Sequence, residues 1–281
     1  KENITFTNDL IELAGLRVVR DGREWEYIEK TKGVYDFSYA DEFTKDLQRR
    51  GMKTYWNVSY GNGKLYLPER GMNPNAGWSV ITRNGHPQTQ ESIQAYSDFT
   101  EGVAKYFKDN NYGVAAVETW NEPNGANPNG TEMAQIFTDY IRPIKIKMLR
   151  DGYDDVDIAS FTPHNNYQSA FLNGCMQLNF YPHFDRYAAH EYQFKNGFES
   201  SNLYDSRMKK LDDFITEYGG WKRIDISETG FTTIDGSNAW STTQSAAEEV
   251  TKLYTICEYN NLSNILLYDL MNDGTDATYS E

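Results

Sequence analysis

Two glutamates carry the strongest chemical signal in the chain. Glu122 sits in Val117-Glu118-Thr119-Trp120-Asn121-Glu122-Pro123-Asn124-Gly125, and Glu228 in Ile224-Asp225-Ile226-Ser227-Glu228-Thr229-Gly230-Phe231. Each follows a run with strand character and precedes a turn. A lone glutamate in that position is ordinarily a solvated or capping carboxylate, whereas two in matching contexts point to acid/base work. Cleavage of a glycosidic bond needs one carboxyl that donates a proton to the leaving oxygen and one carboxylate that attacks the anomeric carbon. With the two about 5 Å apart, an ionised Glu228 disfavours a second charge on Glu122 and keeps the acid loaded. Asn121, beside the acid, is placed to hold a sugar hydroxyl.

Positioning such a pair requires rigid elements. Short β-branched or aromatic runs alternate along the chain with longer amphipathic segments. Strands are predicted over 16–20, 53–59, 114–120, 156–161, 187–192, 223–227 and 265–270, and helices over 39–50, 91–108, 132–149, 203–218 and 242–259. Tyr96, Phe99, Val103 and Phe107 form one helical face. Residues 4–7 are a candidate for a strand preceding all of these. With it the count reaches eight, which predicts a single (β/α)8 TIM barrel over residues 1–281; a doubly wound sheet is the alternative, without a Gly-rich nucleotide loop after its first strand. On that count Glu122 ends strand four and Glu228 ends strand seven, at the strand C-termini where barrel active sites lie. Residues two apart in a strand share a face, so Ile224, Ile226 and Glu228 are expected to point together toward the barrel axis, and Glu122 likewise. Little chain precedes Asn8 or follows Met271, so the barrel reads as trimmed at its termini, open or under-covered between first and last strands.

Charge narrows the partners. Lys and Arg total 27 against 41 Asp and Glu, and the resulting net charge of −14 has the wrong sign for a protein held to phosphate backbones or anionic lipid, so no nucleic-acid partner is expected. No apolar run approaches the roughly 18 residues of a membrane span. Cys175 and Cys257 lie in apolar, helical-looking runs at no metal or redox spacing and are expected as buried free thiols. The 21 Tyr and 6 Trp suit flat sugar faces, and suit helix coverage equally. Other chemistries fail on spacing. His190-Glu191-Tyr192-Gln193-Phe194 opens like a zinc-protease motif but has Phe where the second ligand belongs, Gly61-Asn62-Gly63 is no dinucleotide loop, and no Gly-x-Ser-x-Gly elbow or calcium loop occurs. No cofactor or metal is expected.

Trp120-Asn121-Glu122-Pro123-Asn124-Gly125 together with Ser227-Glu228-Thr229-Gly230 resembles the acid/base and nucleophile motifs of the clan A retaining glycoside hydrolases. Gly15-Leu16-Arg17-Val18-Val19-Arg20, Trp25, Ile28-Glu29, Gly33-Val34-Tyr35-Asp36-Phe37 and Tyr60-Gly61-Asn62 are similar to family 39 and related exopolysaccharide hydrolases, over about residues 11–273. The resemblance implies a (β/α)8 barrel with Glu122 as acid/base and Glu228 as nucleophile. It implies that Arg20 hydrogen-bonds the nucleophile, and that His190 and Tyr192, two apart on one strand face, match a His-x-Tyr pair whose tyrosine contacts it. Trp25, Trp56, Tyr60, His164, Phe231 and Tyr268 are candidate sugar-stacking or subsite residues, each equally able to serve as packing. One departure concerns Leu266-Leu267-Tyr268-Asp269-Leu270-Met271, where many clan A members carry a tryptophan and Tyr268 would have to substitute. The expected function is retaining hydrolysis of β-glycosidic bonds in a poly- or oligosaccharide by a secreted or periplasmic enzyme, any signal peptide before Lys1 having been removed or never supplied. A carbohydrate-binding barrel without turnover and a transglycosylase are the alternatives.

Overall fold

The computed structural model describes residues 4–66, 89–122, 130–160, 170–192, 222–230 and 243–268, with parts of 209–217. Its strands are β1 (Val18–Asp21), β2 (Glu29–Thr31), β3 (Val34–Tyr35), β4 (Lys53–Asn57), β5 (Val114–Glu118), β6 (Ile158–Ala159), β7 (Arg186–His190), β8 (Arg223–Thr229) and β9 (Asn264–Leu267). Seven of them pair in parallel in the order β1-β4-β5-β6-β7-β8-β9, while β2 and β3 form a small antiparallel hairpin. The sheet curls into a nearly closed barrel, because Arg20 on β1 hydrogen-bonds Glu228 on β8 and Tyr55 on β4 reaches Asp225 on β8 across the interior. No ladder joins β1 to β9 among the described residues.

The inner strands β6, β7 and β8 are buried on both faces, as parallel strands under helices must be, while the end strands β1 and β9 are only partly covered. Inward, Val18, Tyr55, Ala116, Ala159, Ala188 and Leu266 make one cluster, in which three alanines leave room for the Tyr55 ring. Outward, Trp56, Val117, Ile158, Tyr187, Ala189, Ile224 and Ile226 pack against the helices.

Those helices include α1 (Ile4–Leu13), α2 (Trp25–Ile28), α3 (Ser38–Arg49), α4 (Gln90–Asp109), α5 (Gly130–Asp151), α6 (Ala170–Gln177) and α7 (Thr243–Tyr259). Thr89 and Ser92 close a capping box at the start of α4, satisfying its first free amides. Its predicted face of Tyr96, Phe99, Val103 and Phe107 is fully buried. The Tyr96 hydroxyl lies 2.8 Å from the Val58 carbonyl and 3.1 Å from that of Thr119, tying the helix to the two segments that lead into the barrel mouth.

Residues 4–7 are not a strand. They open α1, whose buried positions Asn8 and Ile11 are three apart and face α3. Glu122 therefore follows the third, and Glu228 lies in the sixth, of the seven described barrel strands. The helix expected over 203–218 falls largely outside the described residues. Cys175 and Cys257 are buried, and neither forms a disulfide among the described residues. No described helix is long and apolar enough to cross a membrane.

Candidate active site

Glu228 reaches the barrel interior by a local irregularity. Ile224 and Ile226 face outward into the helix layer, while Asp225 faces inward and accepts a hydrogen bond from Tyr55 at 3.2 Å. Strict alternation would send Glu228 outward with the isoleucines, so the shared-face argument from sequence is corrected here. The ladder between β7 and β8 slips: Ala189 pairs with Ile226, but His190 pairs with Glu228. Ser227 is the extra residue of a bulge, and a bulge of this kind re-aims the side chain that follows it.

Glu122 is turned inward differently. On β5 Glu118 points into the barrel, and the chain then leaves the ladder. Trp120, fully buried against Tyr60, Tyr96 and Tyr140, anchors the departing segment. Trp120 has φ 146° and Glu122 φ 43°, both uncommon for residues with a Cβ. Such conformations cost about 1–3 kcal/mol each and persist where packing over-determines them; the Trp120 pocket supplies that packing.

Glycines follow two of the functional strand ends for a steric reason. A Cβ on Gly22 would lie 2.3 Å from the Asn57 carbonyl oxygen, and one on Gly230 would lie 1.9 Å from that of Tyr268. Neighbouring backbone passes too close at both points for any side chain.

Around the mouth the polar groups converge. Glu122, His190 and Glu228 each present an atom within 4.8 Å of the other two. His190 Nδ1 is 2.6 Å from Glu122 Oε1, and its Nε2 is 3.4 Å from Glu228 Oε2. Arg20 donates through Nη1 to Glu228 Oε2 at 2.9 Å, through Nε to Glu118 Oε2 at 2.8 Å and through Nη2 to Asn121 Oδ1 at 2.8 Å. Tyr192 donates its hydroxyl to Glu228 Oε1. Asn121 Nδ2 donates to the Tyr60 hydroxyl at 3.1 Å, and its amide N–H donates to Ser59 Oγ at 2.9 Å.

The electrostatics follow from burial. Removing Arg20 from water disfavours its charge, but Glu118 and Glu228 outweigh that and raise its pKa, so it stays a cation. Burial first, and the Glu228 charge second, push the Tyr192 hydroxyl far above its ordinary range; it remains a donor. Burial and the Glu122 charge likewise raise Tyr60, against the opposing pull of the Asn121 hydrogen bond. Both hydrogen bonds to Glu228 therefore come from groups that keep their protons. Glu122, His190 and Glu228 are also the one cluster of metal-ligating groups among the described residues. The Arg20 guanidinium already supplies positive charge at the Glu228 carboxylate, at 2.9 Å.

The structure thus brings together Glu122, Glu228, Arg20, Asn121, His190, Tyr192 and Tyr60. Tyr268 lies at the rim, half-exposed, its N–H bonded to the Thr229 carbonyl at 2.6 Å. Trp25 is corrected from a sugar platform to core packing. It is 1% exposed, with Tyr66 stacked at 5.1 Å and Phe99 at 5.7 Å, and its indole N–H is taken by Glu29. Trp56 is likewise buried, on the outer face against Phe107. His164 and Phe231 lie outside the described residues. Sequence reasoning missed Glu118 and Asn57, whose Nδ2 donates to Glu118 Oε2 at 2.7 Å. The signal was available: Glu118 is an acid at an inward strand position, where burial demands a cationic partner such as Arg20.

No protein-family model matches the chain, and no curated protein matches it in sequence. Solved structures do match. A family 39 glycoside hydrolase from the gut symbiont Bacteroides cellulosilyticus WH2 superposes with a TM-score of 0.69 at 19% identity, over 97% of this chain and 54% of that one. The chain thus spans about half the length of that enzyme. Fungal β-1,4-galactanases match with a TM-score of 0.61 at 15% identity, over 93% of this chain and 80% of theirs. A family 1 β-glucosidase from Thermotoga maritima gives 0.63 at 13% identity, over 96% and 77%. The fold is that of the clan A glycoside hydrolase barrels.

Proposed function

We propose that this barrel is a retaining glycoside hydrolase that cleaves β-glycosidic bonds in a poly- or oligosaccharide, with Glu122 as acid/base and Glu228 as nucleophile. The observation that carries the reading is the carboxylate pair: oxygens of Glu122 and Glu228 lie within 4.8 Å of each other at the C-terminal mouth of the barrel. Retaining enzymes hold their carboxyls about 5–5.5 Å apart, while inverting ones need about 6.5–9.5 Å to admit a water.

The surroundings support this assignment of roles. Arg20 and Tyr192 aim two donors at Glu228, stabilising negative charge on the group that must attack. Glu122 is met by the His190 ring at 2.6 Å and sits beside Asn121. In the first step a Glu228 oxygen bonds to the anomeric carbon as the bond to the leaving oxygen breaks, and that oxygen takes the Glu122 proton. In the second, Glu122 takes a proton from water, whose oxygen bonds to the anomeric carbon and releases Glu228 as a carboxylate. Arg20 and Tyr192 stand ready for the charge that returns to Glu228.

The test is incubation with soluble β-mannan, β-xylan, β-glucan, β-galactan and bacterial exopolysaccharides, with proton NMR of the first-formed product. Retention of the β-anomer is expected. Inversion overturns the mechanism, and binding with no turnover of any glycan overturns the enzymatic reading in favour of a binding barrel. Transfer of the glycosyl group to a sugar acceptor instead of water identifies a transglycosylase.

A further inference from the structure

A pair of exposed tyrosines held by one arginine lies on the same face of the barrel. Arg23 follows the end of β1, Tyr27 is in α2, and Tyr39 is in the first turn of α3. Strand C-termini and the starts of the helices that follow them share the face where barrel active sites lie. Arg20, at the end of the same strand, donates to Glu228 at 2.9 Å. Arg23 comes three residues later, so at about 3.6 Å of chain per residue its Cα is within roughly 11 Å of that of Arg20. The separation suits a chain of sugars running outward from the carboxylates.

The rings are exposed and ordered together. Tyr27 is 47% and Tyr39 is 64% exposed, yet one guanidinium holds both: Arg23 Cζ is 4.0 Å from the Tyr39 ring centroid and 5.0 Å from that of Tyr27. Lys64 Nζ adds a contact 5.9 Å from the Tyr27 ring. A cation over two rings restricts their rotamers before a ligand arrives, which lowers the ordering cost of stacking a flat ligand on them. Single exposed aromatics are ordinary; two that share one guanidinium on the strand C-terminal face are a built surface. Charge selects the ligand. Arg23 and Lys64 are balanced by Glu24 and Glu26, with Lys64 paired to Glu26 at 3.2 Å, and the chain as a whole carries −14. An anionic polymer is repelled by that field; a neutral pyranose with one apolar face is not.

We propose that Arg23, Tyr27 and Tyr39 form a distal platform for a neutral sugar unit of a long polysaccharide, outside the Glu122/Glu228 centre. The proposal rests on the glycosidase reading and extends it to polymeric, uncharged substrates. The test compares wild type with the Tyr27→Ala/Tyr39→Ala double variant. The probes are whichever of soluble β-mannan, β-xylan, β-glucan or β-galactan the wild type cleaves best, and an aryl β-glycoside of the same sugar, too short to span both sites. The KM for the polymer should rise about five- to tenfold, with the aryl glycoside KM changing less than about twofold. Retardation of the Glu228→Gln protein in native gels cast with the polymer should be lost when the two substitutions are added. Tyr259→Ala, at the far end of α7, is the control and should change neither readout.

An unchanged polymer KM, or equal losses on both substrates, overturns the platform. So does retardation by an anionic polymer in place of the neutral ones. If no glycan is turned over, the glycosidase reading fails. The gels then decide the platform separately, by whether wild-type retardation depends on Tyr27 and Tyr39; no retardation by any neutral polymer overturns it.

Discussion

Glu118 and Glu228, carried by strands on different sides of the barrel, hold the same guanidinium: Arg20 donates through Nε to Glu118 at 2.8 Å and through Nη1 to Glu228 at 2.9 Å. Arginine presents its donors in a rigid planar fork, so fixing one edge fixes the other. Glu118 is fully buried and is held in turn by Asn57 at 2.7 Å. Orientation is thus passed from Asn57 through Glu118 and Arg20 to the Glu228 carboxylate.

Substituting Glu118→Gln keeps the shape but removes the charge that anchors Arg20. Activity should fall about 10- to 100-fold in kcat/KM, the usual effect of losing a group that orients a reacting one. The more severe Arg20→Met leaves Glu118 buried without its cation and should destabilise the fold by about 3–5 kcal/mol. Kinetics and urea unfolding of the two variants check this. Wild-type kcat/KM in Glu118→Gln, with the protein folded, would show that Arg20 needs no anchor.

His190 contacts Glu122 through Nδ1 at 2.6 Å, and so bears on the proposed acid/base more directly than on the proposed nucleophile Glu228, whose Oε2 is 3.4 Å from Nε2. His190→Ala should therefore slow cleavage of substrates with poor leaving groups, which need protonation, by about 10²-fold or more. Dinitrophenyl glycosides, which leave without a proton, should lose much less. A His190→Asn variant, able to keep one hydrogen bond to Glu122, should recover part of the deficit. Equal losses across a leaving-group series would assign His190 to Glu228 instead.

Roles within the carboxylate pair are separated by rescue. Glu228→Gly should abolish turnover, with azide filling the vacated space and restoring cleavage of an activated aryl glycoside to give the inverted glycosyl azide. Glu122→Ala should leave glycosylation of activated substrates largely intact and give the retained azide. Product stereochemistry by NMR reads the outcome; the opposite assignment would exchange the two roles.

Much of this site was legible because its elements are locally consistent. The alternation of short apolar strands with amphipathic helices, and the Tyr96/Phe99/Val103/Phe107 face, follow from periodicity that the packed structure then uses. The glutamates stood out because each interrupts an apolar run just before a turn. What could not be read was how each side chain is aimed. Strict alternation places Glu228 with Ile224 and Ile226, and it is the bulge at Ser227 that turns it inward. Ring count also misled. Trp25 is an attractive platform by type, but burial of a flat indole between Tyr66 and Phe99 outweighs exposure to solvent. The β-branched, aromatic start of α1 reads as a strand because its buried helical position is filled by a polar residue, Asn8, which hides the period until its partner Asp46 is known.

That partner makes the docking of α1 sensitive to acid. The Asp46 carboxylate accepts from Asn8 Nδ2 at 2.8 Å and from Arg50 Nε at 2.8 Å, and it also contacts Arg49. Arg50 in turn reaches Asp9 and Glu12 on α1, each at 2.7 Å, above a small cluster of Ile11, Leu47 and Met52. Burial alone would raise the Asp46 pKa, but the hydrogen bonds from Asn8 and Arg50 outweigh it and hold the group below its ordinary value of 3.8. A carboxyl whose folded pKa is depressed contributes stability above its unfolded pKa and loses it as pH falls through the folded one. Asp46→Asn should therefore lower stability at pH 7 by about 1–3 kcal/mol, the range for lost hydrogen bonds to a charged group. The gap from wild type should hold down to about pH 5 and close progressively below about pH 4, as wild type takes up the proton that the variant cannot. Thermal unfolding of both proteins at pH 7, 5 and 3 measures the gap directly, since every other titrating group is common to the pair. A difference that stays constant over this range would mean that Asp46 stabilises the α1–α3 contact by shape and not by charge.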